Sequence, residues 1–290
     1  MTTSETFFAY LNIDHPMVAW EVAIGRLQSI EEITGERFGV SLWAYSLLQS
    51  YVQNQQPKRF ENELRLEYIR KRSYPGSVSR LHGLYFFRSE EDARIALDRW
   101  GMPHRKRYIS AVQFNASAVT QMDSEWITFN LGSNVDPGWM NAYLSGKAAG
   151  AKPLTEILAL GSGVVLNMDL RIEAYKRIYD LWPTSTPLLA AARCAFDRCN
   201  LNNVAMVKPA LISTDDAVQG NYYIYMKEFD EHQLDIVAAL EDCKRTGECP
   251  PIVMPSDESK IFTLPDLSPY SFELNDRGSS AIFASVHNAT

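Results

Sequence analysis

Apolar residues recur at three- and four-residue intervals over most of the first seventy positions, which is the spacing of an amphipathic helix. The first run holds Phe7, Phe8, Leu11, Val18, Val22, Leu27, Ile30 and Ile33, and it meets Gly35, a residue that favours a helix end. A second run opens at Ser41, and a third covers Phe60 to Arg70. The pattern therefore predicts a helical N-terminal section over residues 1–73.

The next apolar stretch predicts one short buried strand, Leu84 to Phe87, with a helix behind it. Ser89 has the position of a helix N-cap, and the three acidic residues that follow it suit the positive end of the helix dipole. Arg80 and His82 stand just before Gly83. Glycine at that point allows a sharp turn or the close approach of a ligand, so these two side chains become candidates for binding.

Aromatic and β-branched residues predict further strands over Tyr108–Phe114 and Trp126–Leu131. A turn at residues 134–138 then leads into a short helix that contains Tyr143. Between residues 153 and 166, two apolar segments flank a Gly-Ser-Gly turn, with Glu156 near the start of the first. Glu156 has two interpretations: a carboxylate inside a cleft, or an ordinary first-turn acid of a short helix that begins after a proline.

The last third mixes both periodicities. Helices are predicted over residues 168–180, 188–196 and 232–244, strands over 204–212 and 221–227 around an acidic turn at 214–216, and a proline-containing irregular tail from 247. Residues 182–187 are the best linker candidate. The whole pattern predicts an α+β protein with a helical section (1–73), a central mixed region of helices and strands (74–182) and a C-terminal α+β part (183–290).

Composition limits the range of functions. The chain has 290 residues, 46% of them hydrophobic, and a net charge of −7, which argues against a general nucleic-acid coat. The basic run His104 to Arg107 is the exception, either as a solvated loop or as an edge that contacts phosphate. No run approaches a membrane span and the start lacks the order of a secretory signal, so we expect a cytoplasmic protein, or one delivered into a host cell, without membrane contact.

The four cysteines all fall in the last third, at positions 194, 199, 243 and 249. Neither pair has the two-residue gap of a zinc knuckle, and His232 is the only histidine nearby. We therefore expect reduced, partly buried thiols and no metal.

Familiar phosphate-loop, zinc-helix and nucleophile-elbow motifs are absent from the sequence. What remains is a spaced set: Arg80 and His82-Gly83 before a strand, then Tyr143, then Glu156. Over about residues 74–166 this set resembles the ADP-ribosyltransferase superfamily, whose members carry an arginine or a His-Gly pair on an early strand and a glutamate on a late one. The order Ser79-Arg80, Tyr85-Phe86-Phe87, Tyr143, Gly146, Pro153 and Glu156 also looks like a little-characterised bacterial group near that superfamily. The chain departs from the family in placing Arg80 and His82 two residues apart and in lacking a clear Ser-Thr-Ser element.

The resemblance implies a central split sheet, mixed or antiparallel, over residues 74–182. It also implies transfer of ADP-ribose from NAD, as substrate, to a protein or nucleic-acid acceptor, in the manner of a toxin or defence effector. Glu156 would stabilise the oxocarbenium-like state that forms when nicotinamide leaves. The NAD-binding set would be Ser79, Arg80, His82, Gly83, Tyr85 and Tyr143, with either tyrosine stacking on nicotinamide. A partner or inhibitor protein is compatible with this role, and the oligomeric state stays open.

Two other classes of function fit the same sequence. One is a protein-interaction module without an active site, which would neither modify a target nor release nicotinamide from NAD. The other is an RNA-directed transferase on a related fold, in which the basic run His104 to Arg107 would contribute to a groove and RNA binding would depend steeply on salt.

Overall fold

The computed structural model describes residues 3–30, 37–134, 138–214 and 216–288. Their fold is α+β, as predicted, with two antiparallel sheets. The strands are β1 Thr3–Tyr10, β2 Arg26–Gln28, β3 Phe38–Gly39, β4 Leu84–Phe86, β5 Ile109–Asp123, β6 Thr155–Val165, β7 Met206–Ser213, β8 Val218–Tyr225 and β9 Phe272–Leu274. The helices are α1 Pro16–Ile24, α2 Leu42–Gln53, α3 Pro57–Ser73, α4 Glu90–Arg99, α5 Glu125–Asn130, α6 Gly138–Leu144, α7 Met168–Leu181, α8 Thr186–Cys199, α9 Lys227–Glu231, α10 Gln233–Arg245 and α11 Arg277–Asn288. The predicted helix end at Gly35 lies outside the described residues, as do parts of the predicted turns at 134–138 and 214–216.

Strand β6 organises the first sheet. One edge of β6 pairs with β5 along its whole length, and β1 pairs with the far edge of β5. The opposite edge is shared, because β4 pairs with residues 157–159 and β2 pairs with residues 162–164. The turn that leads into β4 and the first residues of β6 are therefore neighbours in the fold, although about seventy residues separate them in the chain.

The second sheet has the order β3-β7-β8-β9 and joins the two ends of the chain. Helix α1 is buried along its whole length and packs against α7 and α8. The Trp20 indole donates to the carbonyl of Ala205 at 3.0 Å, and the buried Arg26 donates to the carbonyls of Asn202 and Val204 at 2.9 Å. The N-terminal residues thus contribute strands to both sheets, while the boundaries after 73 and 182 stay predictions.

The predicted N-cap at Ser89 is confirmed, and Ser41, where a helical run was predicted to open, is an N-cap as well. The Ser41 hydroxyl accepts from the amide of Ala44 at the start of α2, and the Ser89 hydroxyl accepts from the amide of Asp92 at the start of α4. Both caps satisfy amides that have no partner within their own helix, which explains why each helix begins where it does.

The prediction of a helix over residues 7–11 is wrong, and so is the prediction of a wholly helical N-terminal section. Residues 3–10 form β1, whose eight residues pair in unbroken register with β5. Phe7 and Ala9 alternate into the core with a half-buried Phe8 between them. Phe7, Phe8 and Leu11 match the spacing of a helix by coincidence. The long pairing with β5 makes this segment a strand instead.

A strand was the wrong prediction for Trp126–Leu131, because residues 125–130 form the short helix α5. The segment is only six residues long, and the amide of Glu125 is bonded to the Asp123 carboxylate at 3.1 Å as the strand before it ends. Residues 155–165 also differ from expectation: they form one continuous strand, not two segments around a turn. The first interpretation of Glu156 therefore holds in one respect, since the residue lies on a strand and is buried.

Gly161 lets β6 continue through an irregularity opposite Ala116 of β5. Its φ is +140°, and a Cβ there would lie 2.1 Å from the carbonyl oxygen of Asn115. We expect Gly161→Ala to lower the free energy of unfolding by at least about 2 kcal/mol, through backbone strain and overpacking together. Urea denaturation measures this effect. Gly150→Ala is the matched control, because no atom lies within 4 Å of its added Cβ, and an equal loss in both variants would contradict the explanation.

Candidate functional site

A cavity of about 530 Å³ lies between α2, α3 and α5 on one side and the ends of β1 and β6 on the other. Its walls combine aromatic rings, small polar groups and four arginines. The aromatic and basic residues are Tyr10, Trp43, Tyr51, Tyr85 and Trp100 with Arg59, Arg80, Arg99 and Arg105; Asn12 is among the polar ones, and Glu156 is the acidic residue of the lining. The volume and the mixture of flat rings with cations suit a small organic anion that carries a ring system.

Arg80 forms the floor of this cavity and is held by two carboxylates. Its Nε and Nη2 donate to the two oxygens of Glu63, each at 3.0 Å, and its Nη1 donates to Oε1 of Glu156 at 2.8 Å. The side chains of all three are nearly inaccessible, at 7% for Arg80, 4% for Glu63 and 5% for Glu156. Burial opposes the charge on Arg80, but Glu63 and its other neighbours hold its pKa well above the ordinary value. The arginine is therefore a fixed cation inside the protein.

Glu156 is the second residue of β6 and turns its carboxylate into the cavity. Oε1 accepts from Arg80 at 2.8 Å and from the Tyr143 hydroxyl at 2.5 Å. Oε2 accepts no hydrogen bond from any described residue, so this oxygen is available to a ligand. Burial raises the pKa of Glu156, while Arg80 and Tyr143 oppose the rise. One oxygen of the carboxylate is thus held by donors of the protein, and the other can accept a hydrogen bond from a ligand.

A column of aromatic rings fixes the guanidinium of Arg80. Its central carbon lies 5.5 Å from the ring centroid of Tyr143 and 5.0 Å from that of Tyr85. The Tyr85 ring in turn lies 5.5 Å from Trp43, and its hydroxyl donates to the carbonyl of Arg80 at 2.9 Å. Cation–π contacts of this kind favour one orientation of the Arg80 guanidinium plane. Tyr85 and Trp43 line the cavity, whereas Tyr143 lies behind Arg80 and is fully buried.

Ser79 and Gly83 build the turn that carries Arg80. The Ser79 hydroxyl donates to the buried carboxylate of Glu67 at 2.7 Å and accepts from the amides of Leu81 and His82. The Gly83 amide donates to the carbonyl of Ser79 at 2.8 Å, and a Cβ on Gly83 would lie 2.9 Å from that same oxygen. Both residues were predicted to bind NAD directly. The structure uses their polar groups within the protein, and neither one lines the cavity.

His82 points away from the site. Its ring lies 5.0 Å from the ring of Phe38 in the second sheet, and the residue is not part of the cavity lining. Arg80 lines the cavity and His82 does not, although the two residues are only two positions apart. Of the predicted set, the structure brings Arg80, Tyr85, Tyr143 and Glu156 together, and it leaves His82 outside.

Several residues of the site were missed by the sequence analysis, above all Glu63. Charged residues are frequent in α3, so Glu63 does not stand out by its charge alone. A signal was present, because Phe60, Glu63, Leu64 and Glu67 all share the helical spacing of the apolar stripe, and all four are buried. An acid that falls in phase with a buried stripe requires a buried partner, and for Glu63 that partner is Arg80.

Comparison with known proteins gives no family assignment. A scan against models of protein families finds no match, and a search of curated proteins finds none either. In the described ranges, no group of three metal-ligating side chains comes together, and no helix is long and apolar enough to cross a bilayer. The four cysteines are free thiols, as expected.

Proposed function

We propose that this protein transfers ADP-ribose from NAD to a macromolecular acceptor, with Glu156 as the carboxylate that stabilises the transition state. The observation that carries the proposal is the separation of charge in one cavity. At the floor, Arg80 is paired with Glu156 of the lining and with Glu63, which does not line the cavity; this cluster has one net negative charge when both carboxylates are ionised. The walls hold further arginines and aromatic rings.

NAD has the complementary distribution of charge. Its diphosphate is anionic and suits the arginines, while its nicotinamide ribose becomes more positive at the anomeric carbon as the bond to nicotinamide breaks. A buried negative charge, fixed before the reaction begins, stabilises that developing cation without reorganisation of solvent. The same floor would bind a plain anion poorly, so the cavity favours a ligand with both features.

The reaction breaks the bond between the ribose anomeric carbon and the ring nitrogen of nicotinamide. The electron pair of that bond goes to the nitrogen and neutralises the pyridinium charge. A nucleophile of the acceptor then forms a bond to the same carbon and loses its proton to bulk water. Glu156 Oε2 accepts a hydrogen bond from a ribose hydroxyl and faces the forming cation, while Oε1 stays fixed by Arg80 and Tyr143.

The neighbouring groups suggest how the substrate is held. Trp43 offers a ring face for stacking of nicotinamide, whereas the Tyr85 ring already contacts Arg80 and Trp43. The side-chain oxygen of Asn12 is buried in the cavity wall and has no hydrogen-bond partner among the described residues, so it can accept from a carboxamide or a hydroxyl. Arg80 takes a different role from the one implied by the resemblance: its donors are used by Glu63, Tyr143 and Glu156, which makes it a positioning residue for the carboxylate.

Incubation of the protein with NAD labelled on the adenine ring tests the proposal. We expect release of nicotinamide and, with the acceptor present or through self-modification, transfer of the label to macromolecule. Stoichiometric binding of NAD without any release of nicotinamide would show a binding module in place of an enzyme. Absence of both binding and release would overturn the proposal.

A further inference from the structure

We propose that Arg59 and Arg105 form the diphosphate subsite of this cavity, in place of Arg80. The assignment to a dinucleotide rests on the proposed function, whereas the anion-binding character of the two arginines rests on their own surroundings. Both side chains line the 530 Å³ cavity. They come from different elements, α3 and the 3₁₀ helix Pro103–Tyr108, so they hold an anion from two directions.

Arg59 is a half-buried cation without a carboxylate partner in the described parts of the chain. Its guanidinium lies against the ring of Tyr51, 5.9 Å from the centroid, and its Nε would lie 3.2 Å from a Cβ on Gly132. The side chain is thus held between α2 and the segment after α5 while its charge stays uncompensated. A guanidinium fixed in this way is suited to bind phosphate in fork geometry.

Arg105 is positioned by a neutral group. Its Nη1 donates to the Tyr10 hydroxyl at 2.7 Å, and its closest carboxylate, Asp14, is 3.9 Å away. Asp14 also accepts from Tyr108 and pairs with Arg177 at 2.8 Å, so it compensates Arg105 only weakly. The other donors of Arg105 bond to no described residue and remain for a ligand.

The two remaining arginines of the lining are already occupied. Arg80 donates to Glu63, Glu156 and Tyr143, and Arg99 donates to Glu125 at 2.5 Å. Using either one for phosphate would leave a buried or half-buried carboxylate without its partner, which costs free energy. The uncompensated positive charge of the cavity is therefore concentrated on Arg59 and Arg105.

Titration calorimetry with ADP-ribose, inorganic diphosphate and nicotinamide tests whether Arg59 and Arg105 bind the diphosphate. We expect Arg59→Gln and Arg105→Gln each to raise the Kd for ADP-ribose about 10- to 100-fold, the effect of losing a charge-assisted contact to phosphate. The Kd of Arg59→Lys should lie between those of the glutamine variants and wild type, because lysine keeps the charge and loses the bidentate geometry of the guanidinium. Binding of nicotinamide should not change.

Arg65→Gln and Lys106→Gln are the matched controls. Each removes one positive charge from the same element as its counterpart, and neither residue lines the cavity. We expect both to bind ADP-ribose within about twofold of wild type, since each charge is paired with a carboxylate away from the cavity lining, Arg65 with Glu61 and Lys106 with Asp98. Thermal denaturation of all five variants verifies that each remains folded.

The outcomes distinguish this subsite from the proposed function. Arginine-dependent binding of ADP-ribose and diphosphate without consumption of NAD would support the subsite and overturn the enzyme. Consumption of NAD with an unchanged KM in Arg59→Gln and Arg105→Gln would overturn the subsite and leave the enzyme. Failure of the wild-type protein to bind either phosphate ligand would also overturn the subsite.

Discussion

Replacement of Glu156 by glutamine should reduce the rate of nicotinamide release from NAD by about 10²- to 10³-fold, the size of the loss when one preorganised electrostatic group is removed. Glutamine has nearly the same shape, and its carbonyl oxygen can still accept from Arg80 and Tyr143. The negative charge that faces the ribose would be gone. We therefore expect the folded state and NAD binding to remain nearly intact, with the loss confined to kcat.

The assay compares wild type, Glu156→Gln and Glu61→Gln at equal concentrations of folded protein. Glu61 lies on the outer side of α3, where it pairs with Lys58 and Arg65, so its replacement controls for a change of charge alone. Its activity should equal that of wild type. Full activity in Glu156→Gln would remove this carboxylate from the mechanism, whatever the protein does with NAD.

The pH dependence of the wild-type rate provides a second readout of the same group. Burial raises the pKa of Glu156, and the proposed mechanism requires its ionised form. The rate should therefore fall as the pH decreases through a value above the ordinary glutamate pKa of about 4.3. Measurement of kcat/KM as a function of pH, over the range that acetate and phosphate buffers cover, would locate this decrease in rate. An acid limb below the ordinary glutamate value would contradict the assignment.

Local signals were enough to predict many of the helices. Ser89 caps α4 as predicted, α2 begins just after Ser41, where a helical run was predicted to open, and the predicted helix with Tyr143 is α6. Local signals failed where pairing decided the structure. Residues 3–10 became a strand because β5 offers a partner along their whole length, and no property of those eight residues reveals that partner in advance.

The candidate site was predictable only in part, and for a related reason. The resemblance drew attention to Arg80 and Glu156, which the fold brings within 2.8 Å across 76 positions of sequence. It did not reveal that Glu63 occupies one side of Arg80, or that Arg59 is left without such a partner. Charge pairing depends on which helix face is buried against the turn, and this is a property of the tertiary structure.

Replacement of Arg80 by methionine should cause the largest loss of stability, about 3–5 kcal/mol near neutral pH, because it leaves buried carboxylates without their cation. Methionine retains much of the volume between Tyr85 and Tyr143, so the loss reports charge more than packing. Arg65→Met is the control: Arg65 is 48% exposed and pairs with Glu61, and its loss should cost less than about 1 kcal/mol. Urea denaturation at pH 5 and pH 8 measures both variants.

The sign of the pH effect follows from Glu156. Its pKa in the folded protein is already raised by burial, and Arg80 is the strongest influence that opposes the rise. Without Arg80 the folded-state pKa moves further above the unfolded value. Protonation of Glu156 then favours folding at low pH, and this contribution is lost as the pH rises through the folded-state pKa. Arg80→Met should therefore be closer to wild type at pH 5 than at pH 8.

A second substitution locates the source of the loss. In the Arg80→Met background, Glu63→Gln removes one of the two carboxylates that have lost their cation. It should therefore recover part of the free energy of unfolding at pH 8. In the wild-type background the same substitution should destabilise, since it removes the bidentate partner of Arg80. Equal effects of Glu63→Gln in the two backgrounds would show that Arg80 and Glu63 are not coupled. In that case the charge cluster on which the proposed role of Glu156 rests would not exist as described.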